Sequence, residues 1–131
     1  MSEAPIIVCV EDDVGVRDAI AGFITALGFA ADCFSSAEEF LQSGRVDGAS
    51  CLIIDVKLTG MSGLELQTRL VAMGCNIPII MITAFPDEKV RAQAMSSGAV
   101  CFLSKPIARA DLVNCIDQAL KRRPGGGGVL S

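Results

Sequence analysis

Cys51-Leu52-Ile53-Ile54-Asp55 is a run of four apolar residues closed by an acid. A short, unbroken apolar run of this kind reads as a strand buried on both faces, the kind found inside parallel sheets. Upstream, residues 29–34 form a second short strand, and Ile6-Ile7-Val8-Cys9-Val10 a third. Downstream, Pro78-Ile79-Ile80-Met81-Ile82-Thr83 and Val100-Cys101-Phe102-Leu103 repeat the pattern. Between these runs the apolar spacing turns helical. Val16, Ala19, Ile20, Phe23, Ile24 and Leu27 share a face over residues 14–27, and Gly28 stops that helix. Ser35 and Glu38 have capping-box spacing at the start of a helix that carries Phe40 and Leu41 and ends near Gly44. Ser62 and Glu65 repeat that spacing before a helix with Leu66, Leu70 and Val71, stopped at Gly74. Further helices are expected over 87–97, with Gly98 as stop, and over 109–122, where Leu112, Val113, Ile116, Ala119 and Leu120 share a face. Strands alternating with helices predict an α/β fold with a parallel sheet covered on both sides.

The 131 residues suit one domain, with 51% hydrophobic and 20% charged residues. Residues 1–123 are read as that domain. Pro124 and the four glycines after it open a flexible tail or linker over 124–131. The net charge of -4 gives no footprint for nucleic acid or anionic membrane. The basic cluster Lys121-Arg122-Arg123 is read as the solvated last turn of a helix, where cations are favoured. Neither a secretory signal nor a membrane span is apparent, so the expected compartment is the cytoplasm. The six cysteines form no C-x-x-C pair, and there is no histidine to complete a zinc site. Cys9, Cys51 and Cys101 are read as small buried hydrophobes. The lack of histidine also excludes Ser-His-Asp and Cys-His catalysis.

In an open parallel sheet, ligands bind beyond the C-terminal strand ends. There the sequence puts Glu11-Asp12-Asp13 after the first strand, Asp55 after the third, Thr83-Ala84 after the fourth and Lys105-Pro106 after the fifth. Taken singly, Asp12 and Asp13 could be helix N-cap acids, Thr83 a strand-end residue and Lys105 a surface lysine. Asp55 follows four apolar residues, where an unpaired charge is costly. Together they suit phosphoryl chemistry. Clustered carboxylates want a hard cation such as Mg²⁺, a carboxylate can form an acyl phosphate, and a hydroxyl and an ammonium can hold the added oxygens.

Over residues 5–122 the chain resembles the CheY-like response regulator receiver domains. The resemblance rests on Val10-Glu11-Asp12-Asp13, Ile54-Asp55, Met61-Ser62-Gly63, Ile82-Thr83-Ala84 and Lys105-Pro106, in order. Val16-Arg17-Asp18 and the stretch from Phe34 to Leu41 further resemble the FixJ type, which usually precedes a helix-turn-helix DNA-binding domain. The resemblance implies a flavodoxin-like (βα)5 doubly wound five-stranded parallel sheet of order 2-1-3-4-5. It implies Asp55 as phosphoacceptor. Asp12, Asp55, the backbone carbonyl of Lys57 and, through water, Glu11 become ligands of Mg²⁺ or Mn²⁺. Thr83, Ala84 and Lys105 become phosphoryl-binding residues, Phe102 the switch aromatic, and Lys105-Pro106 a cis peptide. The implied partner is a sensor histidine kinase, with a phosphorylation-dependent homodimer through the fourth helix, fifth strand and fifth helix. The implied output is transcriptional control by a separate domain, without turnover of an external substrate. Two features stand out against the family pattern. Thr59 stands where proline is frequent, implying a less rigid loop, and Lys57 and Phe85 flank the acceptor, where they should affect access of water.

The rival readings are a phosphorylation-independent interaction module on the same fold and an enzyme on a flavodoxin-like or phosphatase-like fold. The intact acidic set argues against the first. A flavin site would want a phosphate-cradling loop after the first strand, where three acids would repel phosphate. A haloacid-dehalogenase-type phosphatase would need a second aspartate two residues beyond Asp12, and Val14 stands there.

Overall fold

The computed structural model describes residues 4–121. Five strands and five helices alternate: β1 (Ile6–Val10), α1 (Val14–Ala26), β2 (Ala30–Phe34), α2 (Ala37–Ser43), β3 (Cys51–Asp55), α3 (Gly63–Ala72), β4 (Ile79–Thr83), α4 (Glu88–Ser96), β5 (Cys101–Ser104) and α5 (Arg109–Lys121). All strand pairs are parallel, in the order β2-β1-β3-β4-β5. This is the expected doubly wound α/β sheet. The expected tail, the residues past Lys121 and the first three residues lie outside the described part of the chain.

Successive strand residues point to opposite faces, so each strand feeds two cores. Val8, Val10, Leu52, Ile54 and Met81 pack with Phe40, Leu66, Leu70 and Ala94 beneath α2, α3 and α4. Ile7, Cys9, Ile53, Ile80 and Ile82 pack with Ile20, Ile24, Leu112 and Ile116 beneath α1 and α5. Every residue of β3 is buried, which explains why its sequence does not alternate.

Three details correct the sequence reading. The N-cap of α2 is Ser36, not Ser35: Ser36 Oγ accepts the Glu39 N–H at 3.0 Å, and Glu39 Oε1 accepts the Ser35 N–H at 2.7 Å. Glu38 is thereby released, and its Oε2 accepts the Met61 N–H at 2.8 Å. Cys101 is not a sealed apolar filler. It is half-buried on the edge strand β5, and a disulfide joins it to Cys115 of α5, with Cα atoms 6.0 Å apart. At Thr59, read from sequence only as a missing proline, the N–H and hydroxyl both donate to Asp12 Oδ2 at 3.2 Å. The Ser62–Glu65 capping box is present as expected.

Candidate functional site

The strand ends converge because the register brings them level. Asp55 pairs with Ile82 across β3–β4, and Thr83 with Ser104 across β4–β5. The Glu11 N–H continues the ladder to Phe34 O at 3.0 Å, and the Lys105 N–H to Thr83 O at 2.8 Å. Side chains that leave the sheet at these points therefore share one rim.

Glu11, Asp12 and Asp55 each bring a carboxylate oxygen within 4.8 Å of the others. Glu11 is wholly buried, Asp55 is 3% exposed, and Asp12 is open to solvent. The Lys105 Nζ lies 2.8 Å from Glu11 Oε1 and 3.2 Å from Asp55 Oδ2. Its contact with Glu11 is a close charge pair that lacks hydrogen-bond direction, so Glu11 Oε1 stays without a hydrogen bond. The Lys105-Pro106 peptide is cis, as expected.

Three carboxylates against one ammonium leave the rim short of positive charge. Burial pushes the Glu11 carboxyl above its ordinary value, and the charge of Asp55 adds to this. Lys105 and the Asp13 N–H pull the other way. For Lys105, burial alone would lower the value, but Glu11 and Asp55 outweigh it and hold the ammonium above its ordinary value. A hard cation fits this donor set: oxygen donors only, net negative, one of them exposed and one buried oxygen lacking a hydrogen bond.

The other expected residues divide. Asp13 is the N-cap acid of α1, accepting from Val16 N–H at 3.0 Å, and stands apart from the Glu11, Asp12 and Asp55 group. The Lys57 N–H donates to Asp55 Oδ1 at 3.3 Å, and its Nζ sits 5.5 Å from the centre of the exposed Phe85 ring. Thr83 is buried at the end of β4, where its Oγ1 accepts the Phe85 N–H at 3.1 Å. Ala84 follows at the surface. Phe102 is half-buried and packs on the α2–α4 side of the sheet.

The structure adds supports that sequence reasoning did not assign. Arg17 of α1 donates to the Glu11 carbonyl at 2.8 Å, bracing the turn that carries the acids. Thr59 holds Asp12, and Glu38 of α2 holds the loop at Met61. Gly63 opens α3 directly against the acceptor strand, its N–H on Val56 O at 2.8 Å. A Cβ there would stand 2.0 Å from the Asp55 carbonyl oxygen.

The response regulator receiver domain family matches residues 7–117. The chain belongs to this family. Nodulation protein W of Bradyrhizobium diazoefficiens is 40% identical over 121 residues, covering 92% of this chain and 53% of that protein. The solved response regulator StyR is 36% identical, with a TM-score of 0.85 over 92% of this chain and 61% of that one. The crystal structure of FixJ-N is 32% identical, with a TM-score of 0.81 over 93% of this receiver and 97% of that chain. The receiver thus spans about half the length of the curated relatives it matches. Among the described residues, no helix is long and apolar enough to cross a membrane.

Proposed function

We propose that this receiver accepts a phosphoryl group on Asp55 from a sensor histidine kinase and passes the signal on through α4, β5 and α5. The observation that carries this reading is the rim itself: Glu11, Asp12 and Asp55 gathered within 4.8 Å, with Lys105 on two of the three. Glu11, Asp12, Asp55 and the Lys57 carbonyl would hold Mg²⁺ or Mn²⁺, which when bound offsets charge on the incoming phosphoryl oxygens.

The chain's own residues do the rest. An Asp55 carboxylate oxygen attacks phosphorus and the donor's leaving group departs, giving an acyl phosphate. Lys105, already 3.2 Å from Asp55 Oδ2, moves onto a phosphoryl oxygen. The Thr83 hydroxyl, which now accepts from Phe85 N–H, turns to donate to the phosphoryl group, with the Ala84 N–H beside it. Phe102 moves into the space Thr83 leaves. The added charge, about -1.5 to -2, biases an existing equilibrium toward an altered α4-β5-α5 surface. That surface would support a phosphorylation-dependent homodimer and control of a transcriptional output domain. The receiver has no turnover substrate and no direct nucleic-acid contact of its own. The receiver acts in the cytoplasm.

Incubation with acetyl phosphate and Mg²⁺ tests the reading. The wild type should gain the mass of one phosphoryl group and Asp55→Ala none. No gain on the wild type, or an equal gain on the variant, would contradict it.

A further inference from the structure

Five of the six cysteines lie on the α1/α5 side of the sheet: Cys9, Cys33, Cys51, Cys101 and Cys115. Cys9 and Cys33 face each other in register across β1 and β2, so a bond there would join two strands already paired. Cys101 and Cys115 differ in kind, because their bond ties the edge strand to a helix. The Cα separation of 6.0 Å lies inside the range a disulfide needs. The two sulfurs are unequal. Cys101 is half-buried on an edge strand, whereas Cys115 is 5% exposed among Leu112, Ile116 and Ala119. Cys101 is the more exposed of the two residues, and Cys115 is sheltered beside it. That asymmetry suits an entry thiol and a resolving thiol.

We propose that Cys101 and Cys115 form a thiol–disulfide exchange site, entered through Cys101 by a low-molecular-weight disulfide, whose bonded state pins α5 to β5. The Cys101 thiolate attacks one sulfur of the small disulfide, forming a mixed disulfide and releasing one small thiolate. The Cys115 thiolate then attacks the Cys101 sulfur, closing the internal bond and releasing the second small thiolate. The protein dithiol is oxidised by two electrons and the small disulfide is reduced to two thiols. Where thiols are kept reduced, such a bond is transient and reports redox state.

The placement gives the bond a consequence. Cys101 precedes Phe102, and the two point to opposite faces of β5. Fixing Cys101 to α5 restrains the strand that carries Phe102 and one flank of the α4-β5-α5 surface. This consequence rests on the receiver reading above. The thiol chemistry does not, so either can fail alone.

The test uses the 131-residue chain, reduced with dithiothreitol, freed of reductant and exposed to glutathione disulfide. Free thiols are then alkylated and peptides weighed. Cys101 and Cys115 should be recovered linked, and dithiothreitol should release them. Closing this loop, 14 residues in sequence separation, should raise the Tm by about 10 °C over the reduced chain. Glutathione should be trapped on Cys101 in Cys115→Ser far faster than on Cys115 in Cys101→Ser. Cys115→Ala gives the same trap should the serine variant not fold. Alkylation of both thiols after oxidation, a bond between Cys9 and Cys33 in their place, an unchanged Tm, or equal trapping rates would overturn the proposal.

Discussion

Alanine at Gly63 should damage this receiver, while alanine at Gly22 should strengthen it. Both glycines lie in helices, α3 and α1. At Gly22 a new Cβ would meet nothing within 4 Å. The variant should therefore gain about 0.5–1 kcal/mol, the usual cost of glycine in a helix interior. At Gly63 the Cβ would lie 2.0 Å from Asp55 O, 2.8 Å from its carbonyl carbon and 3.0 Å from Ile54 Cγ2. Two of these obstacles are backbone, so no rotamer relieves them. The first turn of α3 must back away from β3 by about 1 Å or more. Overpacking of that kind costs about 1–3 kcal/mol. The retreat also stretches the 2.8 Å bond from Gly63 N–H to Val56 O, worth about 1 kcal/mol. After subtracting the helix gain, the net loss is about 1–3 kcal/mol. Urea unfolding followed by circular dichroism measures both variants on one scale. Because α3 abuts the Asp55 carbonyl, Gly63→Ala should also slow phosphoryl uptake. A stability for Gly63→Ala equal to or above wild type would refute the close-approach argument.

Further outcomes follow from single residues. Burial pushes the Cys51 thiol from 9.0 up to about 12. Its contribution is therefore whole below pH 9, falls as the unfolded chain alone deprotonates, and is lost as pH rises through the folded value. The stability of wild type relative to Cys51→Ala should drop by about 1.4 kcal/mol per pH unit over that window, and a flat difference in urea midpoints would contradict this. Gln67 is buried and its Nε2 donates to Ala94 O at 2.9 Å, joining α3 to α4. Ala94 O also accepts the Ala99 N–H at 3.0 Å, so Gln67→Leu removes one of two donors and should cost about 0.5–1.5 kcal/mol in thermal or urea unfolding, whereas a neutral result would mean the bond between the helices adds nothing net. Phe85 is 70% exposed beneath the Lys57 ammonium. Phe85→Ala frees the Lys57 side chain beside the acceptor and should speed hydrolysis of the acyl phosphate by at most about two- to fivefold, the most that loss of one exposed cation–π contact can shift the side-chain balance. Intact-mass decay curves read it, and an unchanged lifetime would show that water enters elsewhere.

The strand ends were legible because apolar runs in a parallel sheet leave little freedom. Once β3 is buried on both faces, Asp55 must emerge at its end, and the same reasoning places Glu11, Thr83 and Lys105. What stayed hidden depended on choices between local options that only distant partners make. Ser35-Ser36-Ala37-Glu38-Glu39 offers a serine–glutamate pair in either frame, and the tie is broken by Met61, which takes Glu38 from another loop. Thr59 looked like the loss of a stiffening proline. Its link to Asp12, 47 residues away in sequence, has no local signature. Cys101 sat in an apolar run like Cys9 and Cys51. Only the position of β5 at the sheet edge, with Cys115 across from it on α5, separates it from them. Gly63 was visible as part of a motif, but its reason, the Asp55 carbonyl beneath it, is a property of the packed backbone.

The central claim is that the phosphoryl group resides on the Asp55 carboxylate. Borohydride reduces an acyl phosphate to an alcohol and leaves free carboxylates untouched. Wild-type receiver incubated with acetyl phosphate and Mg²⁺, then reduced and digested, should yield one altered peptide, spanning Asp55, with homoserine in place of that aspartate. Conversion at Asp12, Asp13 or Glu11 in its place, or no conversion at all in a phosphorylated sample, would contradict the account.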